Sequence, residues 1–457
     1  MPSRATPDPA RCLLLAAALA ALHFSGALAE TPAPTAPAQT QWKFAFAPAQ
    51  LPGFTSVPLD ARFSETSPFG YDNAGGSFPA AAGDHITTGE GGGPVYFSVN
   101  LPEGNYKVTV HLGGSDEGDT TVKAELRRLM LENIHTAPGQ TLTKTFAVSV
   151  RQPPIIEDGK QTGMTRVKAR EGSAQRLNRT QGGEGWSWDD SLTLEFSGKP
   201  AVQGIEIEPA GNVTQVFLCG DSTMCDQPAE PYTSWGQVIT RWFKPDAVVT
   251  SLAISGETMP AFLGENRLTK IISMMHPGDF VLVQFGHNDM KSPAQNALDT
   301  YKKNLQRFIS ETKDHGGIPV IITPVSRETF GSDGKITNSF ITKSGDDYVK
   351  ACRDVADQEH VTLLDLNADS ATLYEAVGPA HSQPLFATPA EKTHHSDYGS
   401  YEIAKCVVQE IVNAKLPLAE HLTDDWKPFD PAHPDPQPAV NLPPDPAPRR
   451  FNAPAGN

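Results

Sequence analysis

Hydrophobic positions follow two different periods in this chain, and the change falls near residue 214. Before it, apolar positions form short runs, several of which alternate with polar positions; the runs are 42–46, 95–99, 106–112, 145–150, 192–196 and 205–207. Such alternation is typical of strands with one buried face, and turns rich in glycine and proline separate the runs. We therefore expect residues 42–210 to form an all-β sandwich.

From residue 214 the apolar runs become nearly continuous, as expected of strands that are buried on both faces. These runs cover 216–218, 248–253, 280–285, 319–323 and 361–365, and segments with helical periodicity lie at 298–313 and 346–357. Strands that alternate with helices favour a parallel sheet covered on both sides. We predict an α/β fold, a doubly wound parallel sheet, over residues 214–416.

Both ends of the chain differ in composition from the middle. Residues 1–29 combine early arginines, an apolar run at 13–22 and small residues near a cleavage-like site, which is typical of a signal peptide. Residues 30–41 are predicted to be an extended Pro/Ala linker, and the proline-rich residues 427–457 are predicted to be disordered. We expect export to the periplasm or outside of a bacterial cell, and no later run suggests a membrane helix.

The net charge narrows the range of partners. The formal charge of −16 argues against nucleic acid as a partner and offers no basic surface to an anionic membrane. Cysteines that remain after the predicted signal peptide show no metal-ligand spacing; they are Cys219, Cys225, Cys352 and Cys406. Disulfides and buried free thiols are both compatible with this pattern.

Candidate catalytic residues follow the predicted strands, where open α/β sheets bind their ligands. Ser222 is a candidate nucleophile, although most serines between a strand and a helix cap the helix. Gly256 can present a bare backbone N–H or simply form a tight turn. Asn288 can donate a side-chain N–H to an oxyanion or act as a helix cap. Glu391 stands three residues before His394, at a spacing that lets a carboxylate orient an imidazole.

Taken in order, these stretches resemble the four blocks of the SGNH (GDSL-type) hydrolases. The matching residues are Gly220-Asp221-Ser222, Gly256, Gly286-His287-Asn288-Asp289 and 391–394. Within them, Gly-Asp-Ser-Thr, Ser-Trp-Gly at 234–236, Phe-Gly-His-Asn-Asp and Lys-Thr-His are similar to the rhamnogalacturonan acetylesterase group of carbohydrate esterases. The β region more loosely resembles the galactose-binding-like sandwich found ahead of some bacterial members. The resemblance implies a flavodoxin-like hydrolase domain.

The resemblance also implies roles for individual residues. Ser222 is the expected nucleophile and His394 its general base. The backbone N–H groups of Ser222 and Gly256, with the Asn288 side chain, are the expected oxyanion hole. No metal or organic cofactor is expected for this chemistry.

One position departs from the family pattern. Glu391 stands where the family has an aspartate, so the carboxylate that would orient His394 carries an additional methylene group. His395 and Asp397 are adjacent alternatives for the base and the orienting carboxylate. The register of the Lys-Thr-His block favours His394 as the base.

The implied activity is that of a secreted serine esterase that removes O-acetyl groups from plant cell-wall polysaccharide. Acetylated rhamnogalacturonan is the first choice of substrate. The alternatives are an acetylxylan esterase, a GDSL lipase or thioesterase, and a non-catalytic carbohydrate-binding protein. An acidic protein needs a local basic patch to hold an acidic polymer, and Lys291, Arg327 and Lys392 are the candidates. Solvated surface charge is the alternative explanation for all three.

Overall fold

The computed structural model describes residues 40–64, 66–72, 76–167, 187–337 and 340–445. The expected signal peptide, residues 30–39 of the expected linker and residues 446–457 of the expected tail lie outside the described residues, as does Trp186 of the Trp-Ser-Trp sequence at 186–188. In the described part of the chain, no helix is both long and apolar enough to cross a bilayer.

Strands form the first part of the described chain, as the alternating pattern predicts. They are β1 (Trp42–Phe46), β2 (Thr55–Val57), β3 (Phe69–Asp72), β4 (Pro79–Ala82), β5 (His85–Thr88), β6 (Val95–Asn100), β7 (Gly104–Gly113), β8 (Gly118–Ala124), β9 (Arg128–Thr136), β10 (Thr141–Val150), β11 (Pro154–Glu157), β12 (Lys160–Met164), β13 (Ser191–Lys199) and β14 (Val202–Pro209). The prediction of an all-β region is confirmed.

The strands of this region form two main sheets. One has the order β10-β7-β14-β1-β2 with β5 and β4 added beside β14, and the other has the order β3-β6-β13-β8-β9. Both sheets contribute to one core, in which the rings of Phe44 on β1 and Phe97 on β6 lie 5.3 Å apart. Along β7, Val108, Val110 and Leu112 are buried in this core. His111, between Val110 and Leu112, is partly exposed. The period of two thus produces the layered packing.

The second part of the chain is a parallel α/β domain. Its strands are β15 (Thr214–Gly220), β16 (Ala247–Ser251), β17 (Phe280–Gln284), β18 (Ile318–Ile322) and β19 (Thr362–Leu364). Its helices are α1 (Trp235–Val238), α2 (Met259–Gly264), α3 (Arg267–Met274), α4 (Ala297–Asp314), α5 (Tyr348–Gln358), α6 (Leu366–Val377) and α7 (Asp397–Asn413). The strand order is β16-β15-β17-β18-β19, and each neighbouring pair is parallel.

Both faces of this sheet are buried, which explains the continuous apolar runs. Val216 and Leu218 of β15 join one core cluster with residues of α1, α6 and α7. Phe217 and Cys219 join a second cluster with residues of α2, α3, α4 and α5. The strands β16 and β17 lie on opposite sides of β15, so the direction of winding reverses there. Such a reversal opens a crevice at the carboxyl ends of these strands.

The two regions share a buried interface. Leu129 of β9 belongs to one core cluster of the α/β domain, and its carbonyl accepts a hydrogen bond from Thr240 Oγ1 at 2.6 Å. Trp188 belongs to the other cluster, so this tryptophan is part of a core. Lys270 Nζ lies 2.6 Å from Glu103 Oε1 across the same interface. The β region is therefore packed against the α/β domain rather than tethered to it.

The chain after α7 differs from its prediction, because residues 427–445 pack on the domain instead of being disordered. Lys405 Nζ lies 2.7 Å from Asp435 Oδ2, and Tyr398 donates to the Asp435 carbonyl at 2.6 Å. Asp445 is buried between Lys123 and Arg127. Phe429, Val440 and Leu442 of the same segment also pack against a core cluster of the domain. Proline stiffens an extended segment and lowers the entropy lost when it is ordered, which favours this packing.

The cysteines resolve an alternative that the sequence left open. Cys219, Cys225, Cys352 and Cys406 are all buried, and no disulfide joins them.

Candidate active site

Ser222 lies in a tight turn directly after β15. Asp221 Oδ1 accepts hydrogen bonds from the backbone N–H and the hydroxyl of Thr223, both at 3.0 Å. The Asp221 carbonyl accepts the Cys225 N–H at 3.0 Å, which closes the turn. Gln284, at the end of β17, donates to Thr223 Oγ1 at 3.1 Å and ties the turn to the neighbouring strand. The turn thus holds Ser222 at the carboxyl edge of the sheet.

His394 is the hydrogen-bond partner of this serine. Ser222 Oγ lies 2.8 Å from His394 Nε2, although 172 residues separate the two in the chain. The His394 carbonyl accepts the Ala387 N–H at 3.0 Å, and Ser396 caps the N-terminus of α7 by accepting the Gly399 N–H at 3.3 Å. His394 is therefore held in a fixed turn ahead of the helix, and both members of the pair are buried.

Glu391 contacts the other side of the imidazole ring. Its Oε1 accepts the backbone N–H groups of Lys392, Thr393 and His394 at 3.0, 2.9 and 3.2 Å. Its Oε2 lies 3.1 Å from His394 Nδ1, close in distance but not aligned as a hydrogen bond. Burial raises the pKa of Glu391, but the His394 ring and the N–H groups outweigh burial and lower it to about 2.

Gly256 lies in the turn that follows β16. The Ile254 carbonyl accepts the Glu257 N–H at 3.3 Å, and Gly256, with φ of +79°, has the conformation that a type II turn requires of its third residue. The Ile254 N–H donates to the Gly220 carbonyl at 3.2 Å. This bond places the Gly256 turn beside the Ser222 turn.

Asn288 follows β17 and joins the same group of loops. Its Nδ2 donates to the Glu257 carbonyl at 3.0 Å, and Lys291 Nζ lies 3.4 Å from its Oδ1. The Met259 N–H donates to Asp289 Oδ1 at 3.0 Å, and burial raises the pKa of Asp289 to about 7. A primary amide carries two hydrogens, so the bond to Glu257 leaves one that can donate to a ligand.

The alternative residues near His394 lie elsewhere. His395 Nε2 is 2.6 Å from Tyr374 Oη, its ring stacks on Phe386, and burial lowers its pKa to about 3. Asp397 accepts a hydrogen bond from the Thr233 hydroxyl and faces Arg127. Neither residue is brought to Ser222.

Two of the three candidate cations lie beside these loops. Arg327 Nη2 donates to the His287 carbonyl at 3.4 Å, and Lys291 is next to Asn288. Burial and then the charge of Arg327 lower the pKa of Lys291, so the two cations are close enough to repel each other. Lys392 is exposed, and its carbonyl accepts the Glu328 N–H at 2.8 Å.

Several residues that support the site were missed by sequence reasoning. Gln227 Nε2 donates to the Ser222 carbonyl at 2.7 Å, and the Tyr232 ring meets the His394 ring edge-on with centroids 6.0 Å apart. Trp235, already part of the Ser-Trp-Gly match at 234–236, donates from Nε1 to Gln284 Oε1 at 2.7 Å. Gln284 could have been noticed as a polar residue inside an apolar run, but the segment with Gln227 and Tyr232 carries no periodic signal.

The part of the chain that carries this site is similar to known proteins. Residues 218–399 match the model of the GDSL-like lipase/acylhydrolase family. The rhamnogalacturonan acetylesterase RhgT of Bacillus subtilis (strain 168) is 35% identical over 222 residues, which cover 46% of this chain and 94% of RhgT. The probable rhamnogalacturonan acetylesterase YesY of the same organism is 30% identical over 215 residues, covering 45% of this chain and 96% of YesY.

A third relative extends into the β region. YxiM, an uncharacterized esterase of Bacillus subtilis (strain 168), is 24% identical over 320 residues, or 69% of this chain and 73% of YxiM. The crystal structure of YxiM aligns with 82% of this chain and 99% of the YxiM chain, at 20% identity and a TM-score of 0.45. With RhgT matched over nearly its whole length and the serine and histidine paired at the predicted sheet edge, the chain belongs to the GDSL-like lipase/acylhydrolase family of carboxylic ester hydrolases.

Proposed function

We propose that this protein is a serine esterase that removes O-acetyl groups from a plant cell-wall polysaccharide, with acetylated rhamnogalacturonan as its substrate. The observation that carries the proposal is the 2.8 Å contact between Ser222 Oγ and His394 Nε2, with Glu391 on the other side of the imidazole. The names of the relatives RhgT and YesY support the choice of polymer.

The proposed reaction runs through an acetyl-enzyme. His394 Nε2 takes the proton of Ser222 as Oγ attacks the acetyl carbonyl, while Glu391 stabilises the imidazolium. The tetrahedral oxyanion accepts hydrogen bonds from the backbone N–H groups of Ser222 and Gly256 and from the Asn288 amide. His394 then gives its proton to the sugar oxygen, which leaves as a hydroxyl. Water attacks the acetyl-enzyme by the same steps and releases acetate and free Ser222.

Acetate release tests this proposal directly. Wild type and Ser222→Ala are incubated with acetylated rhamnogalacturonan, acetylated xylan and a C8 acyl ester. We expect release from rhamnogalacturonan above all, and a loss of roughly 10⁴–10⁶-fold in the variant, because nucleophile and base act as a unit. Faster release from xylan or from the C8 ester would show that rhamnogalacturonan is not the preferred substrate. If the folded wild type releases nothing from any ester, the protein is instead a non-catalytic carbohydrate-binding protein.

We further propose that Lys291 and Arg327 receive a carboxylate of the polymer. The two cations lie beside the loops of Asn288 and His287, and their mutual repulsion favours an anion between them. Lys392 is a third candidate, but its exposure predicts a smaller contribution.

Removing one cation tests this second proposal. Arg327→Met is expected to raise KM for the acidic polymer several-fold and to leave a small neutral acetyl ester unaffected. Lys350→Met, which removes an exposed charge paired with Asp354, is the matched control. Added salt should lower the wild-type activity on the acidic polymer but not the activity on the small neutral ester. Equal effects of Arg327→Met on both substrates would contradict the proposal.

We also propose that the protein is exported, on the basis of residues 1–29. Its proposed partner is the acetylated polysaccharide, and neither nucleic acid nor a membrane is proposed as a partner.

A further inference from the structure

The turn between β8 and β9 reaches from the β region into the α/β domain. Glu125 and Arg127 in this turn have φ of +55° and +62°, in the left-handed region that non-glycine residues rarely adopt. Such a conformation persists only where surrounding contacts determine it. For Arg127, its buried side chain supplies such contacts.

The guanidinium of Arg127 binds one loop of the α/β domain. Nη1 donates to the Tyr232 carbonyl at 2.8 Å and to the Gln227 carbonyl at 3.4 Å, and Nη2 donates to Thr233 Oγ1 at 3.3 Å. Nε pairs with Asp445 from the C-terminal segment. Three acceptors therefore lie within residues 227–233, and the planar fork of an arginine can hold them together.

The charge of Arg127 is balanced inside the protein. Nη2 lies 3.5 Å from Asp397 Oδ1 and 3.9 Å from Glu230 Oε1, in addition to the pair with Asp445. Burial lowers the pKa of Arg127, but Asp445 and Asp397 outweigh it and raise the pKa above its ordinary value. Arg127 therefore stays protonated, and nearby carboxylates balance its charge. A paired buried cation of this kind can hold a neighbouring loop in one position.

The loop held by Arg127 connects directly to Ser222 and His394. Gln227, whose carbonyl Arg127 binds, donates its side-chain N–H to the Ser222 carbonyl at 2.7 Å. Tyr232, whose carbonyl Arg127 also binds, contacts the His394 ring. One guanidinium therefore touches the residues that support both partners of the 2.8 Å contact.

We propose that Arg127, a residue of the β region, is a positioning residue that sets the relative placement of Ser222 and His394 through residues 227–233. This inference rests on the proposed serine-esterase function. A displacement of about 1 Å in a reacting group can reduce the rate by about 10²-fold, so a small shift of the loop is sufficient. The β region is then a required part of the catalytic unit.

The test compares Arg127→Lys with Arg241→Lys. Lysine keeps the charge beside Asp445 but cannot bind the two carbonyls as a fork. Arg241 crosses the same interface, with Nε 3.0 Å from Glu132 Oε2 and Nη2 2.6 Å from Asp425 Oδ2. A fluorophosphonate reagent counts reactive Ser222, so that kcat on a small acetyl ester is expressed per competent site.

We expect Arg127→Lys to lower kcat about 10–10²-fold with KM changed less than about threefold, and Arg241→Lys to keep wild-type kcat. Gln227→Met should also lower kcat, and the double variant with Arg127→Lys should lose less than the product of the two single effects. If Arg127→Lys does not fold, Gln227→Met alone decides.

Several results would overturn the proposal. The first is that Arg127→Lys keeps the wild-type kcat per reactive serine, and the second is that Arg127→Lys and Arg241→Lys lose kcat equally. The others are that the effects of Arg127→Lys and Gln227→Met on kcat multiply fully in the double variant, or that Gln227→Met keeps the wild-type kcat. A wild type that neither reacts with the fluorophosphonate nor hydrolyses the ester would instead refute the serine-esterase function itself, which separates the two failures.

Discussion

At the scale of single residues, Glu391 serves both the local backbone and the imidazole. Its Oε1 accepts three successive N–H groups of its own turn, and its Oε2 faces His394 Nδ1. The additional methylene group lets the side chain fold back over the turn, at the cost of an off-axis approach to the ring. Glutamate at this position is therefore compatible with an oriented histidine.

Glu391→Gln should disable the base. The Gln Oε1 can keep the three backbone N–H groups, which leaves its NH₂ facing His394 Nδ1. That donor favours the tautomer with the proton on Nε2, which cannot accept the Ser222 proton. We expect kcat to fall about 10³–10⁴-fold, as for the analogous change in serine proteases. Steady-state kinetics on a small acetyl ester measure the effect, and Glu375→Gln, at an exposed pair with Lys335, is the control. Unchanged kcat would refute the role of Glu391.

The same carboxylate should make stability depend on pH. The pKa of Glu391 falls from 4.5 to about 2 on folding, so the folded state prefers the ionised form. Its contribution is fully present above about pH 4.5 and is lost as the pH falls towards 2. We expect the difference in free energy of unfolding between wild type and Glu391→Gln to shrink across that window. Denaturant unfolding at pH 7 and pH 3 measures it, and a difference that grows at low pH would contradict the assignment.

At the scale of elements, the site is assembled from loops that follow neighbouring parallel strands. The Ile254 N–H reaches the Gly220 carbonyl, and the Asn288 amide reaches the Glu257 carbonyl, so the loops after β15, β16 and β17 are linked in sequence. The switch in winding direction beside β15 leaves room for a ligand where these loops meet.

Gly256→Ala should shift the loop after β16 because alanine disfavours the backbone conformation at this position, and not because its side chain meets another atom. A Cβ at Gly256 would meet no atom within 4 Å, but φ of +79° is strained for alanine. We expect the free energy of unfolding to fall by about 1–2 kcal/mol and kcat to fall as the N–H moves. Gly264→Ala, in α2 and equally uncrowded, is the control and should keep full activity. If both variants behave alike, the Gly256 turn has no special role.

At the scale of the whole molecule, the β region and the α/β domain form a continuous structure. Leu129 enters a core cluster of the α/β domain, and Glu132 on the same strand accepts hydrogen bonds from Arg241 at 3.0 Å and Tyr401 at 2.8 Å. The segment 427–445 adds Asp445 to the same interface. Interfaces with a shared apolar core couple the stability of the parts they join.

Thermal unfolding should therefore be a single transition in which secondary structure and esterase activity are lost together. Leu129→Ala is expected to cost about 2–5 kcal/mol because it empties a buried site, and to lower the transition of the whole protein. Leu142→Ala, at a partly buried position on β10 that packs against the other core of the β region, should cost less. Calorimetry with parallel activity assays checks this, and two separated transitions would contradict it.

The sequence by itself determined the elements and the order of the site. In the first region the apolar runs marked β1, β6, β7, β10, β13 and β14, but they did not mark the other strands, such as β8 and β9. Continuous apolar runs marked β15 to β19, and helical spacing at 298–313 lies within α4. The strand-end rule selected Ser222, Gly256 and Asn288, and the structure brings their loops together. These features depend on local spacing, which is why they can be predicted from one chain.

Only the tertiary structure decided the contacts between distant segments. It pairs Ser222 with His394 and turns the adjacent His395 towards Tyr374, although neighbouring histidines are alike in sequence. It also orders residues 427–445. Arg127 is buried against Asp445 of that segment, although 318 residues separate the two in the sequence. Burial and charge pairing between segments so far apart depend on how the layers pack, and no local period records that packing.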